Sequence, residues 1–501
     1  MDAIPDILHG QRLVVVSNRL PIVLESDTGT PKVVSASGGL VTVMEPLLKY
    51  HGGLWIGWPG HADVPEEEIN RILTNYKNKE GYDFSAVLLS RSEVDLYYEG
   101  FSNAIIWPLF HDLQTECHFV PEFWKAYKLV NRKFAKVTAS QVKETDFVWV
   151  HDYQLLLLGQ ELRTLGVKSR LIFFLHIPFA PLDIFLKIPW RFEILRAMLC
   201  FDFIGFQTKR DERNFLDCLR ALCPDANITD VENHFNIETD KRNIYVGAFP
   251  IGLDYKDFEN TAFKKNVFDE MLKIKGLLPH GKIVFSVDRL DYTKGIPYRL
   301  DGIRNFLKRY PEMHGKVTFI QQVVPSRIHI KEYQELKSMI DREVSEINSE
   351  YSHMGWIPIH YQFQAISRDL LVSYYRAADV ILVAPLKDGM NLVVKEYIAS
   401  NVDESGVVIL SEFAGAAAQL KNDVLLINPF DIEGIADAIN YALNMPDNEK
   451  FDRMHNLREN VRLEDCYSWV TSIVAAAAGR TEPGATEQKE YFPSENLTFD
   501  S

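Results

Sequence analysis

Five cysteines in 501 residues are too few to staple the chain together. Cys117, Cys200, Cys218, Cys223 and Cys466 form neither a Cys-x-x-Cys pair nor a zinc-type spacing. This pattern predicts free thiols and a reducing, cytoplasmic setting. Long hydrophobic runs are also missing. The most apolar stretch, Leu171 to Leu186, is broken by His176, Pro178, Pro181 and Asp183, and is too short to cross a bilayer. The opening Met-Asp-Ala-Ile-Pro-Asp is acidic and interrupted by proline, so no secretory leader is expected. Positive charge is in deficit: 54 Lys and Arg stand against 69 Asp and Glu, a net charge of -15. That balance argues against nucleic acid or an anionic membrane as a whole-surface partner. Any phosphate ligand must then be held by particular Arg and Lys residues.

What is present is a repeated strand–loop–helix pattern. The chain is too long for one ordinary core, so two domains are expected. The most informative stretch is Asp379 to Tyr397. Val380 to Ala384 reads as a buried strand, Pro385 to Gly389 as a turn, and the pattern is helical from about Met390. A strand feeding a helix N-terminus presents free N–H groups and the positive dipole end, which suit a diphosphate. Asp388 is a cap candidate there, or a carboxylate held towards a ligand. Gly389, Leu392 or Val393, and Glu396 would share one helix face. Glu396 would lie about 10 Å further along, within reach of ribose hydroxyls.

The same layout recurs along the chain. A first strand from Leu13 ends near Arg19, and ligands of open α/β sheets bind at such strand ends. The Gly38-Gly39 pair opens a helix from Val41 to Tyr50 and could approach a phosphate. Trp55 and Trp58, then Tyr97, Tyr98 and Trp107, read as loop aromatics that could stack on sugars, although core packing is the better account of most of them. Phe147 to Val150 is a strand ending in His151-Asp152-Tyr153. Asp152 is placed to accept hydrogen bonds from sugar hydroxyls, and the further ligands of a metal phosphohydrolase are not found. Arg170 to Leu175 ends in His176 beside a proline-fixed turn. Pro250 to Asp254 reads as a hinge. Lys282 to Val287 then restarts the pattern and leads to Arg289 and Lys294, two cations before a helix opened by Gly295. Together they could grip a diphosphate, Arg by a planar fork and Lys as a point charge. Val317 to Val324 leads to Arg327. The expected class is doubly wound α/β.

Taken together, Val-Val-Val-Ser-Asn-Arg19, Ser-Gly-Gly-Leu40, Leu-Trp-Ile-Gly-Trp58, His-Asp-Tyr153, Phe-Phe-Leu-His-Ile-Pro-Phe179, Arg-Leu-Asp-Tyr-Thr-Lys-Gly295, Pro-Ser-Arg327 and Leu-Lys-Asp-Gly-Met-Asn-Leu-Val-Val-Lys-Glu396 resemble the retaining GT-B glycosyltransferases. The nearest resemblance is to the trehalose-phosphate synthase family, glycosyltransferase family 20, in its stand-alone fungal form. The resemblance implies a GT-B fold, with two Rossmann-like doubly wound domains facing across a cleft. It implies glucose transfer from UDP-glucose to glucose 6-phosphate, giving α,α-trehalose 6-phosphate and UDP. The donor side would comprise Gly39, His176, Arg289, Lys294, Asp388, Gly389, Met390, Asn391, Leu392, Val393 and Glu396. The acceptor side would comprise Arg19, Trp58, Tyr98, Trp107, Asp152 and Arg327, with the choices of Trp58 over Trp55 and Tyr98 over Tyr97 left open. Asp152, His176, Arg289, Lys294 and Asp388 would act on the reacting groups.

The family works without a metal, and no Asp-x-Asp occurs to hold a divalent cation; no cofactor is expected. That absence also argues against a phosphatase domain. The family's retention implies front-face attack rather than a carboxylate nucleophile. The expected domains are 1–252 on the acceptor side, 253–455 on the nucleotide-sugar side, helices of 456–480 crossing back to the first domain, and a disordered tail at 481–501. The expected partners are the two small molecules, a further copy of the chain, and a complex with a trehalose-6-phosphate phosphatase and regulatory subunits. The rival readings are another glucosyltransferase of this fold, a non-catalytic regulatory subunit, and a pyridoxal-phosphate phosphorylase, which would need much more chain.

Overall fold

The alternating pattern folds as two parallel-sheet units. The computed structural model describes residues 10–25, 32–35, 39–62, 65–231, 234–240, 242–278, 281–328, 330–479 and 490–493. One unit comprises Met1–Pro250 and Tyr467–Glu490, the other Ile251–Cys466 and Tyr491–Ser501. The helices of 456–480, expected to return as a group to the first domain, therefore divide. Residues up to Cys466 stay with the second unit, and the rest of the helix Cys466–Ala477 joins the first. There the Trp469 indole stacks on Trp149 at 5.2 Å and donates to the Phe249 carbonyl at 3.1 Å. Most of the expected tail, and the turn residues 36–38, lie outside the described residues.

In the first unit the strands are β1 (Leu13–Arg19), β2 (Ile22–Glu25), β3 (Lys32–Ser35), β4 (Leu54–Trp58), β5 (Asp83–Ala86), β6 (Phe147–His151), β7 (Arg170–Phe174), β8 (Phe203–Phe206), β9 (Asn227–Val231), β10 (His234–Thr239) and β11 (Arg242–Ala248). Nine of these form one sheet in the order β5-β4-β1-β6-β7-β8-β11-β10-β9, and β2 and β3 pair as a separate hairpin. The sheet is parallel except at β10, which runs antiparallel to both its neighbours. β1 is a continuous apolar run from Leu13 to Val16, buried throughout, as a central parallel strand covered on both faces requires.

Two expectations need correction here. The Trp55–Trp58 segment is strand β4 rather than a loop. Tyr97 and Tyr98 lie on the π-helix Val94–Ile106. The apolar run Leu-Trp-Ile-Gly-Trp is too short for periodicity to separate strand from loop, and pairing with β1 decides it.

The second unit has β12 (Lys282–Arg289), β13 (Val317–Val324), β14 (Ile359–Phe363), β15 (Val380–Val383), β16 (Val407–Ser411) and β17 (Leu425–Ile427). They form an all-parallel sheet in the order β14-β13-β12-β15-β16-β17. From β12 the chain adds strands to one side, then returns to add β15 on the other. The switch point lies between β12 and β15, and the loops leaving their C-terminal ends flank the crevice that such a switch creates. In the first unit the equivalent switch lies between β1 and β6.

Candidate functional site

At the switch of the second unit, two loops are tied together. The N–H of Leu386, after β15, donates to the carbonyl of Thr293, after β12, at 2.8 Å. Gly295 stands between them with a φ of +63°, and a Cβ there would collide with the Ala384 carbonyl oxygen. Left-handed backbone and close approach both require glycine. Gly295→Ala is expected to lower the unfolding free energy by about 1–3 kcal/mol, read by chemical denaturation; an unchanged midpoint would refute this account of the turn.

Across this junction Lys294 Nζ meets Asp388 Oδ2 at 2.5 Å. The amide of Asn391 donates to the same oxygen at 3.1 Å. Asp388 is not the helix cap. Asn391 is, with φ 75° and its side-chain oxygen accepting from the Val394 N–H at 3.3 Å. The helix Leu392–Ser400 therefore begins later than the periodicity suggests, and Gly389 and Met390 belong to the loop before it. The reason is steric. The loop strand Asp388–Met390 is stitched to the segment after β16, through Gly415 N–H to the Asp388 carbonyl at 3.1 Å and Ala416 N–H to the Met390 carbonyl at 2.9 Å. A left-handed residue must then turn the chain into the helix, and Asn tolerates that conformation. Leu392 and Val393 form the first turn, so their N–H groups point out of the helix end. One turn on, Glu396 accepts from the Tyr375 hydroxyl at 2.8 Å; burial raises its carboxyl above the ordinary range, against the pull of Tyr375 and Arg368.

Arg289, exposed at the end of β12, and Arg327, after β13, complete the cationic loops of this unit. Arg327 has φ 49°, donates to the Tyr333 hydroxyl, and lies 3.8 Å from the Asp291 carboxylate. Neither Asp291 nor Tyr333 was singled out by the sequence pattern. The spacing Asp291-Tyr-Thr293, an N-cap whose side chain accepts from the N–H two residues on, is the signal that could have found Asp291.

In the first unit, the C-terminal ends of β1 and β4 lie side by side, with Arg19 in register with Trp58. The Arg19 guanidinium stacks 4.5 Å from the Trp58 ring centre and 5.5 Å from that of Tyr98. Trp58 and Trp55 are both buried, but the Trp55 indole donates to Ser17 Oγ at 2.8 Å. Tyr97 is buried and donates to Asn18 Oδ1 at 3.0 Å. Trp107 packs instead on His111 and on Tyr153, at 4.4 and 5.7 Å between ring centres, beside Asp152. Gly39 is the first residue of the helix Gly39–His51, and its loop lies outside the described residues.

Asp152, the residue after β6, has φ 76° and ψ 170°, a region that ordinarily only glycine occupies. It is pinned there by its own N–H, which donates to the Phe174 carbonyl at 2.8 Å, and by its Oδ1, which accepts from the His176 N–H at 3.2 Å. Among the described residues, Asp152, Arg327 and Asn391 are three of five non-glycine residues with positive φ. All three lie on the candidate loops, which is where backbone strain tends to be stored. The His176 and His151 rings share a hydrogen bond of 3.1 Å. Burial lowers His151 well below the ordinary histidine value, helped by His176, and takes His176 to about 3. Both are therefore neutral at neutral pH, one ring donating to the other.

The unfolded chain protonates these histidines near 6.5, the folded chain only far below. Between those values the unfolded state binds more protons, so stability declines as pH falls below 6.5 and continues to fall towards about pH 3, where His176 titrates in the folded chain. His176→Gln is expected to flatten the decline in denaturation midpoint between about pH 7 and about pH 5; parallel curves for the two proteins would count against it.

Among the described residues, no group of three or more His, Cys, Asp and Glu could hold a metal ion, and no helix is long and apolar enough to cross a membrane. Residues 11–478 match the family model described as glycosyltransferase family 20. The chain is 41% identical over 478 residues to the trehalose-6-phosphate synthase of Mycolicibacterium smegmatis, covering 94% of this chain and 93% of the relative. It is 40% identical over 490 residues to the bifunctional trehalose-6-phosphate synthase/phosphatase of Thermoproteus tenax, and spans 64% of that longer protein. Among solved structures, the UDP-forming α,α-trehalose-phosphate synthase of Burkholderia xenovorans in complex with glucose-6-phosphate superimposes with a TM-score of 0.83. The two share 33% identity over 93% of this chain and 100% of that one. An E. coli trehalose-6-phosphate structure bound with UDP-2-fluoro glucose gives the same TM-score, at 33% identity over 93% and 99% of the two chains.

Proposed function

The chain belongs to glycosyltransferase family 20, and from that premise we propose that it is a retaining, UDP-forming glucosyltransferase of the GT-B fold. It moves glucose from UDP-glucose to glucose 6-phosphate, giving α,α-trehalose 6-phosphate and UDP, the first step of trehalose biosynthesis. The observation that carries this reading is the junction at the second unit's switch point. There, Lys294 and Asp388 meet at 2.5 Å beside the N-terminus of the helix Leu392–Ser400.

The residue roles follow from charge and position. Breaking the glucose–phosphate bond leaves negative charge on UDP. Arg289, Lys294 and the N–H groups from Gly389 through Val393 are the donors that would stabilise it. Glu396, one helical turn beyond, is placed for the ribose hydroxyls. Asp388 and His176 are assigned to glucose hydroxyls. A neutral His176 suits this, because it can donate or accept without adding charge. In the first unit Arg19, framed by Trp58 and Tyr98, is assigned to the acceptor, with Asp152 and Trp107. In the second unit Arg327 is assigned to the acceptor phosphate. The phosphate oxygen of the donor takes the acceptor proton, so no carboxylate nucleophile is required.

The reaction is proposed to need neither metal nor cofactor. The free state of all five cysteines supports a reducing, cytoplasmic setting. The bifunctional relative supports association with a phosphatase, and a homo-oligomer is expected. The test is UDP release from UDP-glucose by purified protein in EDTA, with and without glucose 6-phosphate. Release that depends on glucose 6-phosphate and yields a non-reducing disaccharide phosphate is expected. Saturable UDP binding without turnover would instead favour a regulatory subunit.

A further inference from the structure

One side chain of the loop between β12 and its helix has no part in these assignments. Asp291 is 1% exposed, and its two carboxylate oxygens face different loops. Oδ1 accepts from the Thr293 N–H at 3.0 Å and from the Thr293 hydroxyl at 2.8 Å. That cap shapes the short turn Tyr292–Lys294, from which Lys294 reaches Asp388. Oδ2 accepts from the Tyr333 hydroxyl at 3.4 Å and lies 3.8 Å from Arg327 Nη1. Arg327 in turn donates to the Tyr333 hydroxyl, so arginine, tyrosine and carboxylate contact one another pairwise. Burial pushes the Asp291 carboxyl up, but Arg327, Arg289 and Lys294 together hold it below its ordinary value. A buried carboxylate that stays ionised needs such partners, and removing it would take charge compensation away from the mostly buried Arg327 guanidinium.

We propose that Asp291 is a positioning residue for both substrates at once: Oδ1 sets the donor loop that carries Lys294, and Oδ2 aims Arg327 at the acceptor phosphate. The proposal rests on the assignment of Lys294 to the diphosphate and Arg327 to glucose 6-phosphate. Its two halves are chemically separable. Asp291→Asn keeps an amide oxygen able to accept from Thr293, and removes a negative charge whose strongest partner is Arg327, ahead of Arg289 and Lys294. Tyr333→Phe removes the hydroxyl between Oδ2 and Arg327, and leaves the Thr293 cap intact. Asp291→Ala removes both functions.

The experiment is steady-state kinetics on the full chain, with each substrate varied at saturation of the other, and calorimetric titration with UDP. Asp291→Asn and Tyr333→Phe are each expected to raise the KM for glucose 6-phosphate about tenfold, and to leave UDP affinity and the KM for UDP-glucose within about twofold. Asp291→Ala raises both. Adding Asp291→Asn to Arg327→Ala raises the KM for glucose 6-phosphate no further, because the carboxylate acts through that arginine. Equal effects of Asp291→Asn on the two substrates, or full additivity with Arg327→Ala, would overturn the proposal. The underlying assignment fails separately: Arg327→Ala would then leave glucose 6-phosphate use unchanged. If Arg327→Ala impairs glucose 6-phosphate use and neither Asp291→Asn nor Tyr333→Phe does, the assignment stands and the positioning role falls.

Discussion

Lys294→Ala is expected to lower kcat by about 10²–10³-fold, the cost of removing one preorganised donor from a developing negative charge. The side chain is mostly buried and already paired with Asp388, so its ammonium is fixed before substrate arrives. A fixed charge costs no reorganisation during bond breaking, and it acts most strongly on the UDP leaving group. UDP affinity should fall with kcat, while the KM for glucose 6-phosphate changes little. Asp388 keeps the Asn391 amide as a partner in the variant, so folding should survive. Calorimetric UDP titration and initial rates provide the check. A variant with wild-type UDP affinity would remove Lys294 from the donor site.

Arg327→Ala should produce the opposite split. A guanidinium bonded to a phosphate dianion contributes about 1.5–3 kcal/mol, so the KM for glucose 6-phosphate should rise by about ten- to a hundredfold. UDP binding should stay close to wild type. The effect is large because the arginine is held in place: its side chain is 9% exposed, its backbone is left-handed, and Tyr333 and Asp291 hold the guanidinium. Arg327→Lys should rescue only part of the loss, since an ammonium cannot reproduce the planar fork. Equal losses in UDP and glucose 6-phosphate affinity in both variants would show that the donor and acceptor sides are not separate.

Much of this was legible in the residues because parallel sheets leave a simple signature. The runs at Leu13, Phe147, Lys282 and Val380 are largely apolar, the run at Val317 carries buried Thr318, Gln321 and Gln322 among its apolar residues, and each became an interior strand. Such strands are buried from both sides, so they need no partner to be recognised. The cations and carboxylates just beyond them were visible for the same reason, as polar groups placed where a buried strand stops.

The helix start at Leu392 was read too early, because capping at Asn391 depends on Gly415 and Ala416 holding the preceding loop. Strand β4 and the π-helix Val94–Ile106 were read as loops, since the Trp and Tyr residues there owe their state to neighbours distant in sequence. The antiparallel pair β9 and β10 was not anticipated either; its strands are short and half exposed.

The sequence by itself determined the fold class, the order of the strands' polar ends and the identity of the charged groups they carry. Those features are local: hydrophobic period, turn chemistry and charge are written in adjacent residues. Only the tertiary structure decided which of these groups meet. That Lys294 pairs with Asp388, that Asp291 meets Tyr333 and Arg327, and that Arg19 rests on Trp58 and Tyr98 while Trp55 bonds to Ser17 and Tyr97 to Asn18 are contacts between segments far apart in the chain. Sheet order sets those contacts, and sheet order follows from burying every apolar face at once, which no single stretch of residues encodes.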